Sequence, residues 1–142
     1  MTEQAQDVLT ANARFYQALS LADVSVMQRV WLNSPDTTCV HPGWNKVIGY
    51  DNIQQSWAAI FVNQGPVHIW PSDETVIFES GIAWVACIEN VDASATTTGA
   101  IIMVRARNAF CKVAAGWKLM HHYAEPIAGQ EAQPINQRLA LN

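Results

Sequence analysis

The sequence predicts an α+β layer domain: three helices come first, an antiparallel meander of strands follows, and the helices cover one face of the sheet. Three observations carry this reading. Apolar residues repeat at helical spacing in the first part of the chain, most clearly at Val8, Ala11, Phe15, Ala18 and Leu19. From Val67 onward, β-favouring runs alternate with turn-forming residues. Within those runs, Ile82 to Ile88 and Ala100 to Val104 are apolar at consecutive positions, so both faces of the sheet must be covered.

Taken in order, the first stripe makes Glu3 to Leu21 a helix with one face inward. Asp23 is placed to cap a short second helix that turns Met27, Val30 and Trp31 to the same interior, and Asn33-Ser34-Pro35-Asp36 breaks it. Thr37 to His41 is extended and stops at Pro42-Gly43, which makes His41 the last side chain before a turn. Asp51 opens a third helix with Ile53, Trp57, Ile60 and Phe61 as its stripe, closed by Asn63-Gln64-Gly65-Pro66. Strands are expected over Val67 to Phe78 with a break at Pro71, then Ile82 to Asp92, Gly99 to Phe110 and Trp117 to Pro126, as a meander.

One domain over residues 1–127 accounts for the pattern, and the Gln- and Ala-rich tail at 128–142 is expected to be loose or draped on a partner. Only 14% of the residues are charged, against about 25% in an average globular chain, and six are tryptophan. Much surface is therefore hidden in a pocket or against another molecule. The simplest cover for the second sheet face is a second copy of the chain, a homodimer through the sheet. A net charge of -4 with eight Lys and Arg leaves no basic stripe for a phosphate backbone, so no nucleic acid is expected. The polar start and the lack of a long apolar run predict a cytoplasmic protein without a membrane partner. Cys39, Cys87 and Cys111 read as buried thiols in a reducing compartment.

Several short runs, in this order and spacing, carry a family resemblance: the Asp23 helix junction, Thr38-Cys39-Val40-His41-Pro42, Gly49-Tyr50-Asp51-Asn52-Ile53 through Trp57, Arg107-Asn108-Ala109-Phe110 and Gly116 to His122. From about Gln6 to Ile127 the sequence resembles the nuclear-transport-factor-2-like superfamily (cystatin-like fold), and within it the SnoaL-like and ketosteroid-isomerase-like members. The resemblance implies a cone-shaped, curved antiparallel or mixed sheet wrapped by the three N-terminal helices around a pocket. It also places His41 where steroid isomerases carry their general base. Phe15 and Ala106 stand where those enzymes have their two oxyanion donors, so steroid isomerisation by that route is not implied. The similar association domain of calmodulin-dependent kinases has three pocket arginines, at positions held here by Ala86, Asn108 and Ala124.

These comparisons, with strand alternation, put Trp84, Ala86, Ile88, Ile102, Val104, Ala106, Asn108, Met120, His122 and Ala124 inward, while Val85, Cys87, Glu89, Leu119, His121 and Tyr123 face the dimer partner. The candidate catalytic residues are His41 as base, with His122 or Asn108 steadying an oxyanion. Phe15, Tyr16, Trp44, Trp57, Trp84 and Met120 are the candidate ligand-binding residues; Trp44, Trp57 and Trp84 would form a cage or plain core. Such a pocket suits a small hydrophobic carbonyl compound and cofactor-free isomerisation, dehydration or cyclisation; the alternative is a non-catalytic binding or association module. No metal is expected, because His121 and His122 are strand neighbours and point to opposite faces. Glu89 is assigned to the interface, with a pocket acid as the rival reading.

Overall fold

The structure, a computed structural model, describes residues 2–92 and 101–127. Helices α1 (Glu3–Leu21), α2 (Val24–Val30) and α3 (Tyr50–Gln64) accompany strands β1 (Thr38–Val40), β2 (Val47–Ile48), β3 (Ile69–Glu79), β4 (Ile82–Asp92), β5 (Ile101–Val113) and β6 (Gly116–Pro126). All six strands belong to one sheet, in the order β2-β1-β6-β5-β4-β3. β3 to β6 form the antiparallel meander, while β1 joins β6 in parallel and carries β2 on its far edge. The expected α+β class is what the chain adopts. The Ser- and Thr-rich turn, the start of the Gly99 strand and the tail at 128–142 lie outside the described residues.

Local chemistry sets the helix ends. Thr2 accepts the Ala5 N–H to start α1, and the Asp23 carboxylate accepts the Val26 N–H to start α2. Gly49 caps α3 at φ +92, where a β-carbon would also lie 3.6 Å from the Pro35 carbonyl oxygen. The apolar stripes of all three helices then meet the sheet, burying Phe15, Met27, Trp31, Ile53, Ile102, Phe110 and Leu119. Each such side chain contributes roughly 1.5–3 kcal/mol by leaving water.

Three local features differ from the sequence reading. β2 is too short to show periodicity and went unseen. Pro71 does not break β3, because β3 is an edge strand and the missing N–H costs it no ladder bond. The irregularity falls instead between Ser72 and Thr75, where Asp73 adopts φ 54 and one extra residue is accommodated.

Register overturns part of the face assignment. Directly opposed residues of an antiparallel pair share a face, and Cys87 opposes Ala106, Val85 opposes Asn108 and Glu89 opposes Val104. Val85, Cys87 and Glu89 therefore point to the helices, and Trp84, Ala86 and Ile88 point away. On β6 a bulge accommodates Met120, since Ala109 pairs with His121 but Phe110 pairs with Leu119. Leu119 is consequently inward and fully buried, and Met120 is not part of the inner row.

Candidate functional site

A polar network lies in the apolar layer between α1 and the sheet. One turn separates Asn12 and Tyr16 on α1, so both reach the same strip of sheet. There the Tyr16 hydroxyl donates to Glu89 Oε2 at 2.8 Å, and Asn108 Nδ2 lies 3.0 Å from the Tyr16 oxygen and 2.9 Å from Asn12 Oδ1. Asn108 Oδ1 sits 2.6 Å from His122 Nδ1, and Asn12 Nδ2 donates to Glu74 Oε2 at 2.8 Å. Asn12, Glu89, Asn108 and His122 are all buried.

The donor directions follow from the exposed end. The Glu74 carboxylate only accepts, so Asn12 must offer it the amide N–H and turn its own oxygen to Asn108. Asn108 then spends both N–H groups on Asn12 and Tyr16, leaving its oxygen for His122. Neutral His122 is thereby fixed with its proton on Nδ1 and a lone pair on Nε2. That lone pair faces Glu89, with Nε2 3.8 Å from Oε2. The separation is too long for a hydrogen bond, and burial together with the neighbouring histidines holds the His122 pKa well below the imidazole range, so this is not an ion pair. Burial pushes the Glu89 carboxyl up to about 7, against the opposing pull of the Tyr16 hydrogen bond. Tyr16 itself is raised well above the phenol range by burial and by Glu89.

His41 forms a neighbouring wall. The Ser56 hydroxyl donates to the Ile53 carbonyl at 2.7 Å, so at 2.8 Å from His41 Nε2 it accepts, and the imidazole carries its proton on Nε2. Burial lowers the His41 pKa to about 4. Trp44 and Trp57 flank the ring edge-on, with centroids 4.8 and 4.4 Å away. His41, Trp57, Glu89 and His122, with Leu19 and Val104, line a cavity of about 50 Å³ that also touches Pro42 and Gln64.

The sequence-derived candidates therefore divide. His41, His122 and Trp57 meet at the cavity. Asn108, Tyr16 and Phe15 stand behind it: Asn108 and Tyr16 in the network, and Phe15 packed at 4.9 Å against the His122 ring. Trp84 is on the opposite sheet face beside His121, so the three-tryptophan cage does not form, and Met120 leaves the inner row at its bulge. Glu89, assigned to the interface, is the buried carboxyl of the site, as register with Val104 requires. Asn12 and Ser56 went unnoticed, although each interrupts the apolar stripe of its helix. Among the described residues, no three His, Cys, Asp or Glu side chains converge as metal ligands.

A model of the SnoaL-like domain matches residues 8–127. This chain belongs to the SnoaL-like family. Among solved structures, this SnoaL-like domain is similar to a Streptomyces avermitilis protein of the nuclear-transport-factor-2-like family provisionally called a dehydratase, at 26% identity and a TM-score of 0.78, over 89% of this chain and 98% of that one. A Thiobacillus denitrificans protein, provisionally called a calcium/calmodulin-dependent kinase association domain, shares the fold at 22% identity and a TM-score of 0.76, over 84% and 94% of the two chains. So does a nuclear-transport-factor-2-like superfamily protein of Salmonella enterica, at 14% and 0.74, over 91% and 94%. No curated protein matches the domain.

Proposed function

We propose that this SnoaL-like domain catalyses cofactor-free proton transfer, of the dehydratase or isomerase kind, on a small and largely apolar carbonyl compound. One observation carries the reading: a buried carboxyl with a pKa of about 7 and an imidazole with a free lone pair face each other across 3.8 Å at a cavity wall. In a dehydration, His122 Nε2 takes the proton next to the carbonyl while the Glu89 acid protonates the departing hydroxyl, and water leaves. The proton then returns from imidazolium to carboxylate, which restores both groups. His41, with one ring nitrogen committed to Ser56, orients the substrate. Kinship with a protein provisionally called a dehydratase supports this reaction class.

The test follows small 3-hydroxyketones in heavy water by NMR, watching for loss of the hydroxyl and for exchange at the carbon beside the carbonyl. Turnover is expected with the native chain and not with Glu89→Gln. Turnover by Glu89→Gln at the native rate removes the carboxyl from the mechanism. A second reading, binding without chemistry, draws on the small cavity, which holds only a few atoms as it stands. Tight binding of such a ketone without exchange would select it.

The same proposal includes a homodimer through the outer sheet face. Ile77 is 57% exposed and Ile101 49%, and they share that face with half-buried Trp84 and Ile88. Sedimentation should give a dimer that Ile77→Glu weakens, and a stable native monomer would refute it. No described helix is long and apolar enough to cross a membrane. Three unpaired cysteines fit the reducing cytoplasm that we assign.

A further inference from the structure

The basic residues look scattered in sequence, but the fold gathers half of them. Arg14 of α1, Arg29 of α2, and Lys112 and Lys118 of the β5–β6 hairpin all line one groove of about 200 Å³, four of the eight Lys and Arg in a chain of net charge -4. Among the described residues, Asp7 is the one acid at that groove and none of the four cations forms an ion pair. Lys118 is pinned in place by donating to the Arg29 carbonyl at 2.6 Å. Cations collected without counter-charge repel one another, which favours an anion between them.

Apart from Thr10, the rest of the groove is apolar. Trp117 lines it together with Ala11 and Val30, and the Trp117 indole N–H is buried without a partner among the described residues. The hairpin turn adds only Ala115 and Gly116, and a β-carbon at Gly116 would meet nothing within 4 Å, so the space stays open. No residue is shared with the Glu89–His122 cavity. Along β5 the step from Val104 to Lys112 is roughly 25 Å at about 3.3 Å per residue.

We propose that this groove is a second ligand site, which takes a small aromatic carboxylate with its anion among Arg14, Arg29 and Lys112 and its ring against Trp117. Four cations at one spot do not make the stripe that a nucleic-acid backbone needs, and a bare inorganic anion would leave the aromatic wall unused.

The experiment titrates the full chain with benzoate while following the six indole N–H signals by NMR, with Trp117→Phe identifying the relevant one. Benzyl alcohol and inorganic phosphate are run alongside. Benzoate should shift the Trp117 signal saturably and bind less well as salt is raised, and benzyl alcohol should leave it unmoved. The double variant Arg14→Gln/Arg29→Gln, both exposed positions, should weaken binding by about tenfold or more; Lys112→Gln is the substitute if the double variant fails to fold. The proposal is overturned if benzoate leaves Trp117 unchanged, if the charge variants bind like the native chain, or if phosphate binds as well as benzoate.

Discussion

His121 and His122 are neighbours in the chain and opposites in the fold. His121 lies on the outer sheet face, half-buried, with Nδ1 2.7 Å from the Thr38 hydroxyl and its ring edge-on to Trp84. His122 is buried on the helix side, wired through Asn108 and facing Glu89. The outer ring has one short local partner; the inner one belongs to a network spanning α1, β3, β4, β5 and β6. Burial alone does not set them apart chemically, since it lowers the pKa of both. What distinguishes the inner ring is a fixed tautomer and a carboxyl across a gap.

Breaking the inner side should cost far more than breaking the outer side. Glu89→Gln keeps an acceptor for Tyr16 and should lower proton-transfer turnover by roughly a hundredfold or more, measured as initial rate. His122→Ala leaves the Asn108 oxygen unpaired beside a new void and should destabilise by roughly 2–4 kcal/mol in urea melts, against less than about 1 kcal/mol for His121→Ala.

A pH series sharpens the same contrast. Because the folded state holds the Glu89 proton up to about 7 rather than 4.5, its contribution to stability is full below the lower value and is lost as pH rises to the upper one. His41, lowered from 6.5 to about 4, works the other way: stability falls as pH drops between those values. Glu89→Gln should therefore gain on the native chain as pH rises from 4.5 to about 7, by up to roughly 3 kcal/mol, while keeping the acid-side loss. The smallest effect is expected from Glu74→Ala, under about 1 kcal/mol in stability. Its readout is the ring nitrogen spectrum of His122, where Nδ1 should lose its exclusive hold on the proton.

The helices were legible because their stripes and caps are local: α1 occupies the span that its apolar repeat marks out, and Asp23 caps α2 where the sequence places it. The sheet faces were only partly legible. β4 is apolar at successive positions, so no alternation within it tells inside from outside, and only its register with β5 decides. That is why Glu89 and Trp84 changed sides. The site was half visible. Histidines in strand-like runs are conspicuous, whereas the orienting roles of Asn12, Ser56 and Glu74 come from partners 15 to 96 positions away.

The Met120 bulge decides which histidine reaches the interior. With Leu119 inward, strict alternation would deliver the next inward place to His121; the inserted residue hands it to His122. Deleting Met120 would straighten the strand and leave His121 outward and His122 inward, whereas smoothing the bulge with every residue kept would turn His121 inward and His122 outward. Which of the two adjacent imidazoles serves the interior is thus decided by the backbone irregularity before them and not by the side chains themselves.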